Sequence, residues 1–232
     1  LFDFISSAKG EFIVNADDEI LNNATIDYSR RMLYGTNKNL AVQGKLEGLT
    51  PFVALSYKTE NYESPCIKTN MIGNYNFYNF LVAITFGQIF KVSNNEINKA
   101  ISNYMPSNNR SQVLKTNNNL LIIDCYNANP SSMLAALESF LMLKEQNKIA
   151  ILGDMLELGE ESKDEHKKIL AYCSNNKIEY ITIGPIFQCL NKEGFNSIED
   201  YLEFHSKNKL SEKTILLKGS RGIALELLIP YL

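Results

Sequence analysis

LLIIDCYNANPSSMLAALESFLMLK, residues 120–144, contains the pattern that decides the fold. Four large aliphatic residues closed by an acid at 120–124 predict a parallel strand that is buried on both faces. Asn129 as N-cap and Pro130 at the first helical position predict a helix over residues 130–144. In an open α/β sheet such a strand-to-helix turn faces the ligand crevice, and the helix start favours anions. The turn carries four hydrogen-bonding side chains: Asp124, Tyr126, Asn127 and Asn129.

Composition excludes several classes of protein. The chain has 232 residues, of which 45% are hydrophobic, enough for a substantial core. Its 23 basic and 26 acidic residues give a net charge of -3 without a long run of one sign, so we expect no nucleic-acid partner. Since no apolar run reaches the ~20 residues of a membrane span, we expect no membrane span either.

Cysteine and histidine usage indicates a reducing compartment and no histidine-rich metal site. The four cysteines show no CxxC spacing, so we expect reduced, mostly packed thiols in a cytosolic protein. The chain has two histidines. We expect His166 to be a structural, hydrogen-bonding side chain in an amphipathic helix, and His205 to lie at the surface.

Residues 1–108 and 109–232 have different patterns, with a polar loop at 105–109 as the boundary. The first part mixes short strands, some polar, with helices at about 75–90 and from Ser93, where a capping box stands. These strands favour a mixed or antiparallel sheet, and they are predicted at 12–15, 31–34, 41–45, 52–57 and 66–70.

The second part alternates strands and helices, which predicts a doubly wound α/β fold with a mostly parallel sheet and helices on both faces. Strands are predicted at 120–124, 148–152, 179–183 and 214–217, and helices at 130–144, 162–174, 197–206 and 222–229. The carboxyl ends of these strands should meet at one edge. Polar or glycine residues follow each of them, at 124–127, 153–154, 184–185 and 218–221.

The residues at those strand ends carry charges of both signs. Lys218, Ser220 and Arg221 suit a phosphate or carboxylate, which they can bind by charge-assisted hydrogen bonds. Asp154 and Glu157 suit an ammonium group. A crevice with both signs fits an amino acid or a dipeptide. The alternatives are that these residues only terminate strands, or that the two acids cap the following segment.

Several motifs also resemble a known family. IDCYNANPSSM, ILGDMLELG and LLKGSRG occur in this order, preceded by VNADDE at 14–19, IGNYNFYN at 72–79 and Arg110. Together they resemble the C-terminal half of the Mur ligases, in particular the type that joins D-alanyl-D-alanine to UDP-N-acetylmuramoyl-tripeptide. The resemblance implies that 1–108 is the C-terminal part of a central ATP-binding domain. It implies that 109–232 is a Rossmann-like ligase domain that binds D-alanyl-D-alanine.

The family phosphorylates a carboxylate with ATP, and the incoming amine then attacks the acyl phosphate. By resemblance Asn76 and Asn79 hold adenine, although without the family match they could be ordinary helix-start residues. By resemblance Asp124 binds the ribose hydroxyls and Arg110 reaches the transferred phosphate, with Tyr126 and Asn127 beside it. Arg110 and Asn127 are therefore the candidate catalytic residues. For the dipeptide we expect Asp154 and Glu157 near its ammonium. The residues expected near its carboxylate or the acyl phosphate are Lys218, Ser220 and Arg221.

The sequence also departs from the family. It has no G-x-x-x-x-G-K-[ST] loop, and we expect the Mg²⁺ ligands and the N-terminal domain to precede Leu1. We therefore expect the chain alone to be inactive, and the protein to act as a monomer in cytoplasmic peptidoglycan precursor synthesis. Two alternatives stay open: a related ligase acting on another amino acid or on folate, and a non-catalytic α/β binding module.

Overall fold

The computed structural model describes residues 2–49 and 51–232, so Leu1 and Thr50 lie outside the described residues. These residues form two compact units. The first unit comprises the described residues up to Asn70 together with Asn74–Tyr104, and the second comprises Met71–Gly73 together with Met105–Leu232. The sequence placed the domain boundary at 108/109, slightly after the change of unit at 104/105.

The first unit contains the mixed sheet that the sequence predicted. Up to residue 104 the elements are α1 (Phe2–Ser7), β1 (Phe12–Asn15), α2 (Glu19–Ala24), β2 (Arg31–Gly35), β3 (Val42–Gly48), β4 (Phe52–Thr59), β5 (Tyr62–Glu63), β6 (Ile67–Ile72), α3 (Tyr75–Ile89) and α4 (Asn94–Asn103). The strand order is β1-β2-β3-β4-β5, with β6 also paired to β4. Strands β1, β2 and β3 are parallel, and β4 runs antiparallel to β3 and to β5.

Helix α3 packs closely against this sheet. A Cβ added at Gly44 of β3 would lie within 3 Å of the side chains of Leu81 and Phe77, so only glycine lets the helix approach. Residues Val53 and Leu55 of β4 are fully buried in the same unit. Helix α4 begins at the predicted capping box, in which the Ser93 hydroxyl and the Glu96 carboxylate satisfy each other's backbone N–H groups.

The second unit is a five-stranded sheet with helices between the strands. Its elements are β7 (Gln112–Lys115), β8 (Leu120–Asp124), α5 (Pro130–Met142), β9 (Lys148–Gly153), α6 (Ser162–Asn175), β10 (Glu179–Ile183), α7 (Pro185–Leu190), α8 (Ile198–Lys207) and β11 (Thr214–Lys218). The strand order is β10-β9-β11-β8-β7. The first four strands are parallel, and β7 is an antiparallel edge strand that the sequence did not predict.

Both faces of this sheet are covered, as the long apolar runs of its strands predicted. One face packs Ile123, Ile151 and Leu217 with residues of α8 and of the C-terminal segment, Tyr201 and Leu228 among them. Alternate residues of a strand point to the opposite face. The buried residues that point there include Ile122, Ala150 and Leu216. Helix α5 contributes buried apolar residues and contacts both α6 and β11.

The predicted helix at 222–229 is wrong. Two 3₁₀ segments, Arg221–Ile223 and Leu225–Tyr231, occupy this stretch, and Ala224 between them adopts a left-handed conformation with φ 58°. An α-helix cannot continue through a residue with that backbone conformation. The sequence also missed α7, which begins at Pro185 directly after Gly184 (φ +132°), a backbone conformation that glycine adopts readily.

His205 is buried, so its predicted place at the surface is wrong. Its ring nitrogens lie 3.3 Å from the Tyr201 hydroxyl and 3.1 Å from the Tyr231 carbonyl oxygen. All four cysteines are free. Cys125 and Cys173 are buried, and chiefly this burial raises the pKa of each thiol to about 12. In the described residues no helix is both long enough and apolar enough to cross a membrane.

The Lys148 side chain caps the C-terminal end of α5. Its ammonium donates to the carbonyl oxygens of Phe140, Leu141 and Leu143 at 2.9–3.2 Å. The Leu141 and Leu143 carbonyls lie at the helix end, where the helix supplies no further N–H groups, and the Phe140 carbonyl also accepts the Leu143 N–H at 3.4 Å. We expect Lys148→Met to lower the free energy of unfolding by about 1–3 kcal/mol in urea denaturation. Lys144→Met is the control, since Lys144 is exposed near the same helix end. An equal loss in both variants would contradict the capping role.

Candidate active site

A buried ion pair joins the ends of two neighbouring strands in the second unit. Lys218 ends β11 and pairs in register with Asp124, which ends β8. The Lys218 ammonium donates to a carboxylate oxygen of Asp124 and to the Asn127 carbonyl oxygen, each at 2.9 Å. The side chains of the pair are 4% and 15% exposed. The other Asp124 oxygen accepts the Ser111 N–H at 3.1 Å, so the carboxylate holds three segments together.

Ser220 connects the turns that follow β8, β9 and β11. It is buried, and its hydroxyl accepts the Leu156 N–H at 2.9 Å and donates to the Ala128 carbonyl oxygen at 3.4 Å. Its own N–H donates to the Asp154 carbonyl oxygen at 3.1 Å. Close packing accompanies these bonds, because a Cβ at Gly219 would lie 2.8 Å from the Gly153 Cα. The hydroxyl therefore has protein partners on two sides.

Asp154 connects the turn after β9 to the start of α7. Its side chain is fully buried, and its two oxygens accept the N–H groups of Ile186 and Phe187 at 2.8 Å. Burial raises the pKa of the Asp154 carboxyl, while these two N–H groups act in the opposite direction. A side chain at Gly184 would overlap the carboxylate. Since both oxygens bind backbone, the geometry fits an anchor of the turn better than a direct contact with an ammonium.

His166, on α6, holds the same turn from the other side. Its Nε2 accepts the Met155 N–H at 2.9 Å, and its Nδ1 lies 2.6 Å from the Ser162 carbonyl oxygen. The ring is fully buried and stands edge-on to Phe187, with 4.5 Å between centroids. The structural, hydrogen-bonding role expected for His166 agrees with this geometry. The sequence did not indicate that the hydrogen-bond partner of His166 lies in the turn after β9, GDMLELG at residues 153–159.

Two guanidinium groups converge on one aromatic ring at this edge. The Arg110 Cζ lies 3.8 Å and the Arg221 Cζ 5.5 Å from the centroid of the Tyr126 ring, distances typical of cation–π contacts. Both arginines are exposed, and within the described part of the chain neither has a carboxylate partner. An uncompensated pair of cations attracts anions. The predicted phosphate residue, Arg110, and the predicted substrate residue, Arg221, therefore share one platform.

The side chains of Glu157 and Asn127 are exposed. Glu157 adopts a left-handed backbone conformation with φ 70°, which is unfavourable for a residue other than glycine. The Asn127 side-chain oxygen accepts the following N–H, of Ala128, at 2.9 Å, and its amide nitrogen is free to reach outward. Of the predicted substrate residues, Glu157 and Arg221 are thus the exposed ones, and the buried ones are Asp154, Lys218 and Ser220.

In the first unit, Asn76 and Asn79 contact each other at the start of α3. The Asn79 amide donates to the Asn76 side-chain oxygen at 2.9 Å, and Asn76 is buried while Asn79 is exposed. Near them the Asp17 carboxylate accepts the Thr36 N–H at 2.7 Å and the Tyr78 hydroxyl at 3.3 Å. Burial, and then the charge of Asp17, raises the pKa of Tyr78. This carboxylate, within the VNADDE segment, connects two strand ends to the helix start.

No group of three or more His, Cys, Asp or Glu side chains among the described residues could hold a metal ion. The described residues therefore do not fit a complete protein-held Mg²⁺ site.

Comparisons with known proteins agree with the motifs. Residues 109–221 match the family model described as Mur ligase, glutamate ligase domain. The UDP-N-acetylmuramoyl-tripeptide–D-alanyl-D-alanine ligase of Treponema pallidum is 30% identical over 223 residues, which are 90% of this chain and 47% of that protein. The ligase of the same name from Bacillus subtilis is 31% identical over 176 residues, 70% of this chain and 38% of that protein. The chain thus spans less than half the length of these relatives.

A solved structure shows the same fold. The MurF ligase of Thermotoga maritima in complex with ADP superimposes with a TM-score of 0.78 at 16% identity, over 96% of this chain and 52% of that chain. At this identity the likeness concerns the fold alone.

The strained turn at Glu157 can be tested by substitution. Glycine tolerates the left-handed conformation and alanine does not, so we expect Glu157→Gly to be more stable than Glu157→Ala by about 0.5–1 kcal/mol. Urea denaturation of both variants measures the difference. Both replacements remove the same carboxylate, so their comparison isolates the backbone. A Glu157→Gly variant less stable than Glu157→Ala would show that the turn is not strained.

Proposed function

The chain belongs to the Mur ligase family, and from this membership and the geometry of the strand ends we propose that its protein is an ATP-dependent ligase. The reaction we propose joins D-alanyl-D-alanine to UDP-N-acetylmuramoyl-tripeptide in peptidoglycan precursor synthesis, the reaction named in the relatives. The four free cysteines support a reducing compartment, and we propose the cytoplasm.

The observation that carries this proposal is the pair of arginines on Tyr126. Two exposed guanidinium groups without a carboxylate partner in the described residues offer a site for a phosphate. They lie next to the ends of β8 and β11, in the crevice where α/β sheets of this kind bind ligands. We assign the transferred phosphate to Arg110, and the acyl phosphate or the dipeptide carboxylate to Arg221.

The proposed reaction has two steps. A carboxylate oxygen of the tripeptide attacks the terminal phosphorus of ATP, which gives an acyl phosphate and releases ADP. The dipeptide ammonium first gives a proton to solvent, and the resulting amine attacks the acyl carbon. An amide bond forms as the nitrogen loses a second proton, and the C–O bond to phosphate breaks as inorganic phosphate leaves with the bonding electron pair. In both steps negative charge builds up on phosphate oxygens. The fixed cations of Arg110 and Arg221 would stabilise this charge.

The proposed amine site lies on the GDMLELG turn. Glu157 is exposed and carries a carboxylate for the ammonium group of the dipeptide. Asp154, Lys218 and Ser220 support this turn and its neighbours through the contacts described above. In this proposal they position the site, and Glu157 and Arg221 make the direct contacts.

Within the first unit we propose the exposed Asn79 as an adenine contact, oriented by the buried Asn76 that accepts its amide. Within the second unit we propose Asp124 as a contact for ribose hydroxyls. Side-chain amides offer both the donor and the acceptor that adenine requires. Asp124 keeps acceptor capacity, because a carboxylate has about four lone-pair sites and two are used by Lys218 and Ser111. The complex of the Thermotoga maritima relative with ADP supports a nucleotide site in this fold.

Arg110→Ala tests the proposal in the full-length protein that carries this chain. We expect turnover to fall at least about a hundredfold, because the variant loses a cation at the transferred phosphate. Its free energy of unfolding should change by less than about 1 kcal/mol, since an exposed cation–π contact contributes little to stability. The measurements are ADP release that depends on both the tripeptide nucleotide and D-alanyl-D-alanine, and urea denaturation.

Arg30→Ala is the matched control. Arg30 is another exposed arginine, whose guanidinium donates to the Lys9 carbonyl oxygen, and its removal should leave turnover unchanged. If the loss of stability in Arg110→Ala fully explains its loss of activity, Arg110 has a structural role. Wild-type protein that releases no ADP with these substrates would refute the proposed reaction.

A further inference from the structure

We propose that His166 is a positioning residue for the dipeptide. As a neutral imidazole with its proton on Nδ1, it fixes the backbone of the turn at Met155–Glu157, so that the Glu157 carboxylate faces the incoming ammonium. This inference rests on the proposed function, because it assigns His166 a task only if Glu157 binds the amine.

The backbone decides where the proton of His166 lies. The Met155 N–H can only donate, so Nε2, at 2.9 Å, must accept and carries no proton. The Ser162 carbonyl oxygen can only accept, so Nδ1, at 2.6 Å, must donate. The nearest Asp154 oxygen lies 3.7 Å from Nε2, which is beyond hydrogen-bond distance. The ring is therefore neutral, and protonation of Nε2 would break its bond to the turn.

The ring is held rigidly in this orientation. It is fully buried, and it stands edge-on to Phe187, whose N–H is bound by Asp154. His166 thus contacts α6, α7 and the turn after β9. A side chain fixed on three sides can hold a turn in place with little freedom of its own.

The turn needs such support because Glu157 is left-handed. The N–H groups of Met155 and Leu156 are bound in succession by two side chains, the His166 imidazole and the Ser220 hydroxyl. Directly after them the backbone adopts φ 70° at Glu157. An unfavourable backbone conformation persists where the surroundings impose it, and such residues cluster at functional sites. The two bonds explain how an exposed acid keeps this conformation.

Two substitutions separate the two hydrogen bonds of the ring. In His166→Gln the side-chain oxygen can reach the position of Nε2 and accept the Met155 N–H. In His166→Asn the side-chain NH₂ can replace Nδ1–H and donate to Ser162, but the bond to the turn is lost. Both variants lose the ring contact with Phe187, and urea denaturation of each separates a general loss of stability from an effect on the turn.

We expect His166→Asn, in the full-length protein, to raise KM for D-alanyl-D-alanine about tenfold while KM for ATP stays unchanged. His166→Gln should stay within about threefold of wild type for both substrates. Equal effects of the two variants on the dipeptide KM, or equal changes in the KM of dipeptide and ATP, would overturn the proposal.

Glu157→Gln distinguishes this inference from the proposed function. A raised dipeptide KM in that variant supports the amine site. If the KM is unchanged and ligation is normal, Glu157 does not bind the amine and the role proposed for His166 is refuted. The proposed ligase function is then unaffected. Wild-type protein without ligase activity would refute the proposed function itself.

The tautomer of His166 can be measured in the wild-type protein, so this test does not depend on the folding of a variant. Nitrogen NMR of the imidazoles, at neutral pH, should show a protonated Nδ1 and an unprotonated Nε2 for His166. The opposite tautomer, or a doubly protonated ring, would overturn the proposal.

Discussion

The Lys218 ammonium imposes the constraint on which the second unit depends. It ends β11, the central strand of the sheet, and its side chain is 4% exposed. A buried ammonium without partners would be prohibitively costly. Its partners are the Asp124 carboxylate and the Asn127 carbonyl oxygen, at the end of β8 and in the turn that follows. The YNANP turn, residues 126–130, must therefore fold back over the sheet edge. This places Tyr126 beside Arg110 and Arg221.

The polar residues of this edge divide into a buried frame and an exposed set. Lys218, Ser220, Asp154 and His166 are buried, and their hydrogen bonds run within the protein. The exposed set consists of Arg110, Arg221, Glu157 and Asn127. The exposed groups offer cations for a phosphate or carboxylate and an acid for an ammonium. The frame joins the turns after all four parallel strands, so it can fix the exposed groups relative to one another in this unit.

Sequence patterns predicted those parts of the fold that local rules determine. Strand β8 and the N-cap Asn129 follow from apolar runs and capping preferences, and the structure contains both. The left-handed Ala224, the short α7 and the edge strand β7 were missed, because tertiary packing decides them. For the site, motifs indicated the residues but not their partners. Residues 94 positions apart, such as Lys218 and Asp124, meet only because strand order and register bring them together.

A double-mutant cycle of Asp124→Asn and Lys218→Met, measured by urea denaturation, tests most directly whether this ion pair organises the edge. Each single change leaves a buried charge without its partner, whereas the double variant leaves neither charge. The account predicts that the two losses of stability sum to at least about 2 kcal/mol more than the loss in the double variant. Additive losses would contradict it, since the two side chains would then stabilise the fold independently.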